Sequence, residues 1–95
     1  MIDRITKNEE RLDSALKSIK ELEIALENFK NNQKNIQMVS KYYGSKNWFK
    51  DKESYEQGKI PKIKAGVLSE DSVWNMLEDI KDLTNEMKSI IDNQK

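Results

Sequence analysis

Aromatic and charged residues cluster in two short segments of this chain. The first is YYGSKNWFKD (residues 42–51) and the second is GVLSED (residues 66–71). Trp and Tyr are typical anchors of protein-binding surfaces, so we predict a partner-binding surface where these segments meet, with a lysine from the connection between them. The residues of this predicted surface are Tyr42, Tyr43, Trp48, Asp51, Lys64, Ser69, Glu70 and Asp71.

Two other interpretations of the same residues stay open. In a purely structural one, Trp48 plugs the open end of a core, Asp51 caps a short helix or pairs with Lys64, and Gly66 supplies an unusual backbone conformation. In a chemical one, the protein is a small helical magnesium-dependent hydrolase or nucleotide binder. That activity would use the acids and the lysine of the predicted surface, hereafter called the corner, namely Asp51, Glu70, Asp71 and Lys64.

Several kinds of chemistry are excluded by composition. The chain has no cysteine and no histidine, which removes disulfides, thiolate nucleophiles and the Ser-His-Asp triad. It has no glycine-rich phosphate loop. Ser69 predicts the start of a helix, but Glu70 and Asp71 in its first turn would repel a phosphate or nucleotide bound there. We therefore predict no catalytic residue and no cofactor.

Paired carboxylates on helices are a second candidate for metal binding. Glu23 and Glu27 are four residues apart, as are Glu78 and Asp82, so each pair shares a helix face. A magnesium site needs several acids converging from two helices, whereas Glu23 and Glu27 lie off the apolar stripe. We interpret both pairs as solvated faces and predict no metal site.

Charge and hydropathy limit the partners and the location. Lys+Arg and Asp+Glu number 17 each, so no basic excess points to nucleic acid or to an anionic membrane. The N-terminal residues lack the apolar stretch of a signal peptide, and no apolar run approaches the ~20 residues of a membrane helix. We therefore expect a cytoplasmic protein that binds neither nucleic acid nor membrane.

Two long helices must position these residues. Residues 3–43 contain no Pro or Gly and repeat apolar residues every seven positions, which predicts one long coiled-coil-like helix. The asparagine-rich segment 28–35 is its weak point, and the sequence leaves open whether the helix is continuous through it. Residues 44–68 form a connection with a short helix capped by Ser45 or Asn47, and then extended chain over KIPKIKAGVL (59–68), because Pro61 disfavours a helix at the residue before it. Ser69 begins a second long helix that runs to about residue 92.

The two long helices differ in length. In an antiparallel hairpin the second helix reaches back only to about residue 19, so the apolar stripe nearer the N-terminus has no partner within the chain. We predict that a second copy covers it in a dimer or bundle, although another protein, or a fold-back at 28–35, would also serve. The predicted self-association residues are Ile5, Leu12, Leu16 and Ile19.

Three segments resemble a known family of small bacterial proteins, the domain of unknown function 4298 family. They are YYGSKNWFKD (42–51), EQGKIPKIKAGVLSED (56–71) and WNMLED (74–79), together about a third of the chain. The family shows the double tyrosine, the following Trp and Asp, a Gly-x-x-Pro and the GVLSED segment, whereas Trp74 lies where a tyrosine is common. The resemblance implies a cytoplasmic helical protein and assigns no activity.

The sequence as a whole predicts a single all-α domain over residues 1–95, built as a helical hairpin. We predict a non-enzymatic adaptor, regulator or inhibitor that binds another protein through its helical stripe and its aromatic corner. The hydrolase or nucleotide binder is the alternative.

Overall fold

A computed structural model describes residues 1–94, and within this range every regular element is a helix. The elements are α1 (Ile2–Asn31), α2 (Gln33–Tyr42), α3 (Lys46–Glu56), a short 3-10 helix (Gly66–Leu68) and α4 (Glu70–Asp92). The predicted all-α class is therefore confirmed. The chain divides into two compact units, Met1–Lys34 and the part from Asn35 onward.

The first unit consists of α1 and the start of α2. Asp3 in the first turn of α1 and Lys30 in its last turn suit the two ends of the helix dipole. The helix stops at Asn32, whose N–H bonds to the carbonyl oxygen of Asn28 at 3.2 Å while its own side chain donates to the same oxygen at 3.0 Å. Asparagine competes locally for backbone groups, which explains why the interruption falls within the weak segment 28–35.

The turns of the second unit depend on two glycines and two serines. Gly44 (φ +75°) ends the helix before α3, and Gly58 (φ +70°) follows its end, both in the left-handed region that favours glycine. Ser45 caps α3 by accepting from the backbone N–H of Trp48 at 3.2 Å, and Ser69 caps α4 in the same way. The predicted short helix and both serine caps are confirmed.

Two details of the connection differ from the sequence-based predictions. Residues 66–68 form a 3-10 helix instead of extended chain, because the N–H groups of Leu68 and Ser69 bond to the carbonyls of Ala65 and Gly66 as Leu68 turns into the core. Gly66 has no positive φ, so the prediction of an unusual backbone conformation there is wrong.

The core of the second unit is small. Its buried apolar side chains come from α3, the 3-10 helix and the first turn of α4, and they are Trp48, Leu68 and Val73. Further along α4, Met76 and Ile80 are half-buried, and every described residue from 81 onward is exposed. Because so few side chains are buried, hydrogen bonds contribute as much as packing to holding these elements in position.

Candidate functional site

Trp48 joins α3 to the 3-10 helix. Its side chain is only 4% exposed, and its indole Nε1–H donates to the carbonyl oxygen of Val67 at 2.9 Å. The ring also meets Tyr43 edge to face, with 5.1 Å between centroids and 72° between planes. Aromatic pairs in this geometry stabilise the folded state by more than the area they bury accounts for. The contacts of Trp48 are therefore those of a residue that holds the corner together.

Glu70 connects the start of α4 to the preceding helices. Its carboxylate lies 2.9 Å from the ammonium of Lys52, which is also 3.7 Å from Glu56 and 5.4 Å from the centroid of the Trp48 ring. Its backbone carbonyl accepts the hydroxyl hydrogen of Tyr43 at 2.8 Å. The hydrogen bond to Glu70 raises the pKa of Lys52, because it stabilises the charged form of the ammonium.

Tyr42 and Asp51 form the shortest side-chain hydrogen bond of the corner. The Tyr42 hydroxyl donates to Oδ2 of Asp51 at 2.6 Å, a distance typical of a charge-assisted bond. This hydrogen bond, with smaller effects from burial and from the carboxylate charge, raises the pKa of Tyr42 to about 12. Tyr42 is therefore a neutral donor at physiological pH, and Asp51 is its acceptor.

An open cleft of about 250 Å³ lies beside this pair. Its wall comes from the end of α2, from α3 and from the irregular segment 59–65 that leads into the 3-10 helix. Tyr55 steadies that segment by donating its hydroxyl hydrogen to the carbonyl oxygen of Ile63 at 3.3 Å. The lining residues are Tyr42, Asp51, Ser54, Ile60, Ile63, Lys64, Ala65, Val67 and Leu68.

The structure divides the predicted partner-binding residues into two groups. Three of them line the cleft, and they are Tyr42, Asp51 and Lys64. The hydrogen-bonded cluster around the tryptophan and the cap of α4 holds Tyr43, Trp48, Ser69 and Glu70. The eighth, Asp71, is exposed in the first turn of α4, and the described residues offer it no hydrogen bond or ion pair.

Asp51 does neither of the things that the structural interpretation predicted. It lies inside α3 and not at its cap, and within residues 1–94 it forms no ion pair with Lys64. Tyr42 takes the place of Lys64 as the partner of Asp51, because nearly two turns of α3 beyond Ser45 bring the carboxylate to the end of α2.

Sequence reasoning missed two polar residues of this region, Lys52 and Ser54. Lys52 lies four residues after Trp48, which is the helical spacing that puts two side chains on one face, so this signal was present. Ser54 and the isoleucines of segment 59–65 had no such signal, because an irregular segment carries no period.

The predicted self-association residues all lie on α1. Ile5, Leu12, Leu16 and Ile19 each keep half or more of their surface exposed. No residue of α1 is buried.

Two further properties concern metals and membranes. In the part of the chain that the structure describes, no three acidic side chains are placed to hold a metal ion. None of the helices within residues 1–94 combines the length and the apolar character that crossing a bilayer demands.

Comparison with known proteins gives one match. A family model described as Domain of unknown function (DUF4298) matches residues 5–90, which is most of the chain. The chain belongs to the DUF4298 family. The match covers the corner, the cleft and nearly all of both long helices of this DUF4298 protein, and it confirms the resemblance seen in the three segments. No curated protein and no solved structure matches the chain.

Proposed function

We propose that this protein is a non-enzymatic interaction module that pairs with a second copy through the apolar seam of α1 and binds a partner protein at its corner. The observation that carries the proposal is the state of α1, a helix of 30 residues without one buried side chain. Most helical stability in proteins comes from packing of an apolar face and not from the helix propensity of single residues. A helix of this kind therefore needs another surface to pack against.

The seam offers apolar surface that a second copy can bury. We define the seam as the large apolar residues of α1 that the predicted hairpin leaves without a partner within the chain, each 50–57% exposed. Complete burial of a half-exposed Leu or Ile contributes roughly 1 kcal/mol, and a dimer buries the four residues twice, so the seam contributes about 8 kcal/mol toward an association cost of about 4–15 kcal/mol. The seam residues are Ile5, Leu12, Leu16 and Ile19.

A second copy is the occupant that the sequence of α1 favours. A repeat of seven residues gives a straight seam that an identical helix fits by knobs-into-holes packing. The charges of α1 nearly cancel, with six basic and seven acidic side chains between Ile2 and Asn31, so two copies meet without strong net repulsion.

Co-purification tests this pairing. Two copies with different affinity tags are expressed together, one tag is captured, and the other copy is detected. The wild type is expected to bring its second copy along, and Leu12→Asp is expected to lose it, because a carboxylate cannot be buried in the seam without a partner charge. Ser14→Asp adds the same charge off the seam and is expected to co-purify like the wild type. Loss of co-purification in both variants, or in neither, would argue against the seam.

The hairpin and the cytoplasmic location stay predictions. An antiparallel hairpin brings Glu23 and Ser89 near each other. The chain has no cysteine, so spectroscopic labels attached to a Glu23→Cys and Ser89→Cys double variant report the distance between these two positions. Helices in contact lie roughly 8–10 Å apart between axes, so labels much further apart, measured with excess unlabelled protein, would contradict the hairpin. Cell fractionation tests the location.

A further inference from the structure

The cleft offers an apolar surface that water reaches. Ile60, Ile63 and Val67 keep 36%, 61% and 36% of their surface exposed along its wall, and Leu68 is buried behind them. An apolar side chain that enters the cleft removes this surface from water, which is favourable in proportion to the area covered.

The cleft contains an acidic and a basic side chain, Asp51 and Lys64, that form no ion pair with each other within residues 1–94. Oδ2 of Asp51 holds the Tyr42 hydroxyl, and within residues 1–94 no hydrogen bond reaches its Oδ1. Over the same residues the Lys64 ammonium and the Ser54 hydroxyl have no hydrogen bond or ion pair. The cleft thus presents an acceptor and a cation beside an apolar wall, which complements a ligand with an N–H donor, a carboxylate and an apolar side chain.

The size of the cleft narrows this ligand further. Its volume of about 250 Å³ is below the roughly 300–1,000 Å³ of most small-molecule pockets, and it suits one amino-acid residue. We propose that the cleft binds the apolar C-terminal residue of a partner polypeptide, with its side chain against Ile60 and Ile63, its carboxylate at Lys64 and its amide N–H at Asp51. The inference rests on the proposed interaction function and names the chemistry that its corner recognises.

The indole N–H of Trp48 is a built-in reporter for this site, because its acceptor is the carbonyl of Val67 on the cleft wall. The chain has two tryptophans, so a ¹H–¹⁵N spectrum shows two indole signals, and a Trp74→Phe variant assigns them. The titrant is N-acetyl-leucine, which carries the side chain, the amide N–H and the carboxylate of a C-terminal residue. For so small a ligand we expect a saturable shift of the Trp48 signal with a Kd of roughly a millimolar.

Three matched compounds separate the contributions. N-acetyl-leucine amide lacks the carboxylate, N-acetylglycine lacks the side chain, and free leucine carries an ammonium instead of the amide. The first two are expected to bind at least severalfold more weakly than N-acetyl-leucine. Equal binding of N-acetyl-leucine amide, or saturation by free leucine alone, would overturn the proposal of a polypeptide C-terminus.

Two lysine variants test the contact itself. Lys64→Gln is expected to weaken N-acetyl-leucine binding up to about fivefold, because an exposed ion pair contributes up to about 1 kcal/mol to the binding free energy. Lys62→Gln, which removes a lysine of the same segment that does not line the cleft, is expected to leave Kd unchanged. An equal effect of both variants would show only a general effect of charge.

The same titration on Leu12→Asp keeps this inference separate from the pairing through α1. A normal shift in that variant supports the cleft even if the dimer is absent. No shift up to about 10 mM in wild-type protein that co-purifies with its second copy would overturn the cleft and leave the pairing in place.

Discussion

The bond between Tyr42 and Asp51 makes a prediction about both stability and its pH dependence. Tyr42→Phe removes the hydroxyl that donates to Asp51 at 2.6 Å and changes little else. The rise of the Tyr42 pKa from 10.0 to about 12 would correspond to about 2.7 kcal/mol of folding stability if solvent did not weaken the interaction. Because solvent reaches this partly exposed pair, we expect a loss of only about 1 kcal/mol in the free energy of unfolding.

The sign of the pH effect follows from the direction of the shift. The folded state raises the Tyr42 pKa above that of the unfolded chain, so the contribution is complete below about pH 10 and disappears as pH rises through about 12. Urea unfolding followed by tryptophan fluorescence measures this, since both tryptophans lie in the second unit. The difference in stability between the wild type and Tyr42→Phe is expected to be constant from about pH 7 to 9 and to shrink above about pH 10.

Tyr55→Phe is the matched control for this measurement. Its hydroxyl donates to the backbone carbonyl of Ile63 at 3.3 Å, a longer bond to a neutral acceptor. We expect a smaller loss from Tyr55→Phe than from Tyr42→Phe. Equal stabilities of wild type and Tyr42→Phe at neutral pH, or a difference that does not change up to about pH 11, would refute the reasoning.

Three other predictions use the same unfolding assay. Gly44→Ala is expected to cost roughly 1 kcal/mol of stability because Gly44 has a positive φ. Gly66→Ala is expected to be neutral or slightly stabilising, because Gly66 has an ordinary φ and no atom lies within 4 Å of an added Cβ. Equal costs at the two glycines would contradict this. Ser69→Ala removes the cap of α4 and is expected to cost about 1 kcal/mol, and an unchanged stability would show that the cap does not contribute. Trp48→Phe leaves the carbonyl of Val67 without its indole donor and is expected to cost about 1–3 kcal/mol, so a fully stable variant would argue against that bond.

The parts of the fold that were predicted from the sequence depend on local chemistry. Serine oxygens at positions 45 and 69 satisfy N–H groups a few residues away, and a glycine at position 44 adopts a conformation that other residues avoid. Asparagines weaken the interior of a helix, which is why the interruption at Asn32 falls inside a segment already recognised as weak. Such features need no knowledge of the rest of the chain.

The cleft depends on the path of an irregular segment, which no local rule gives. Tyr42 and Asp51 were grouped because both belong to the segment YYGSKNWFKD, but their direct bond needs the actual orientation of α3. Residues 59–65 have no period, so nothing in the sequence placed Ile60 and Ile63 beside Asp51. The 3-10 helix was missed for a related reason, since it forms where Leu68 reaches the core.

The most direct test of the central claim is sedimentation equilibrium of the purified protein over a wide range of concentrations. The wild type and Ser14→Asp are expected to change from monomer to dimer, with a gain in helical content measured by circular dichroism as α1 packs. Leu12→Asp is expected to stay monomeric while its second unit remains folded. A wild type that is still a helical monomer at high micromolar concentration would contradict pairing through the seam of α1.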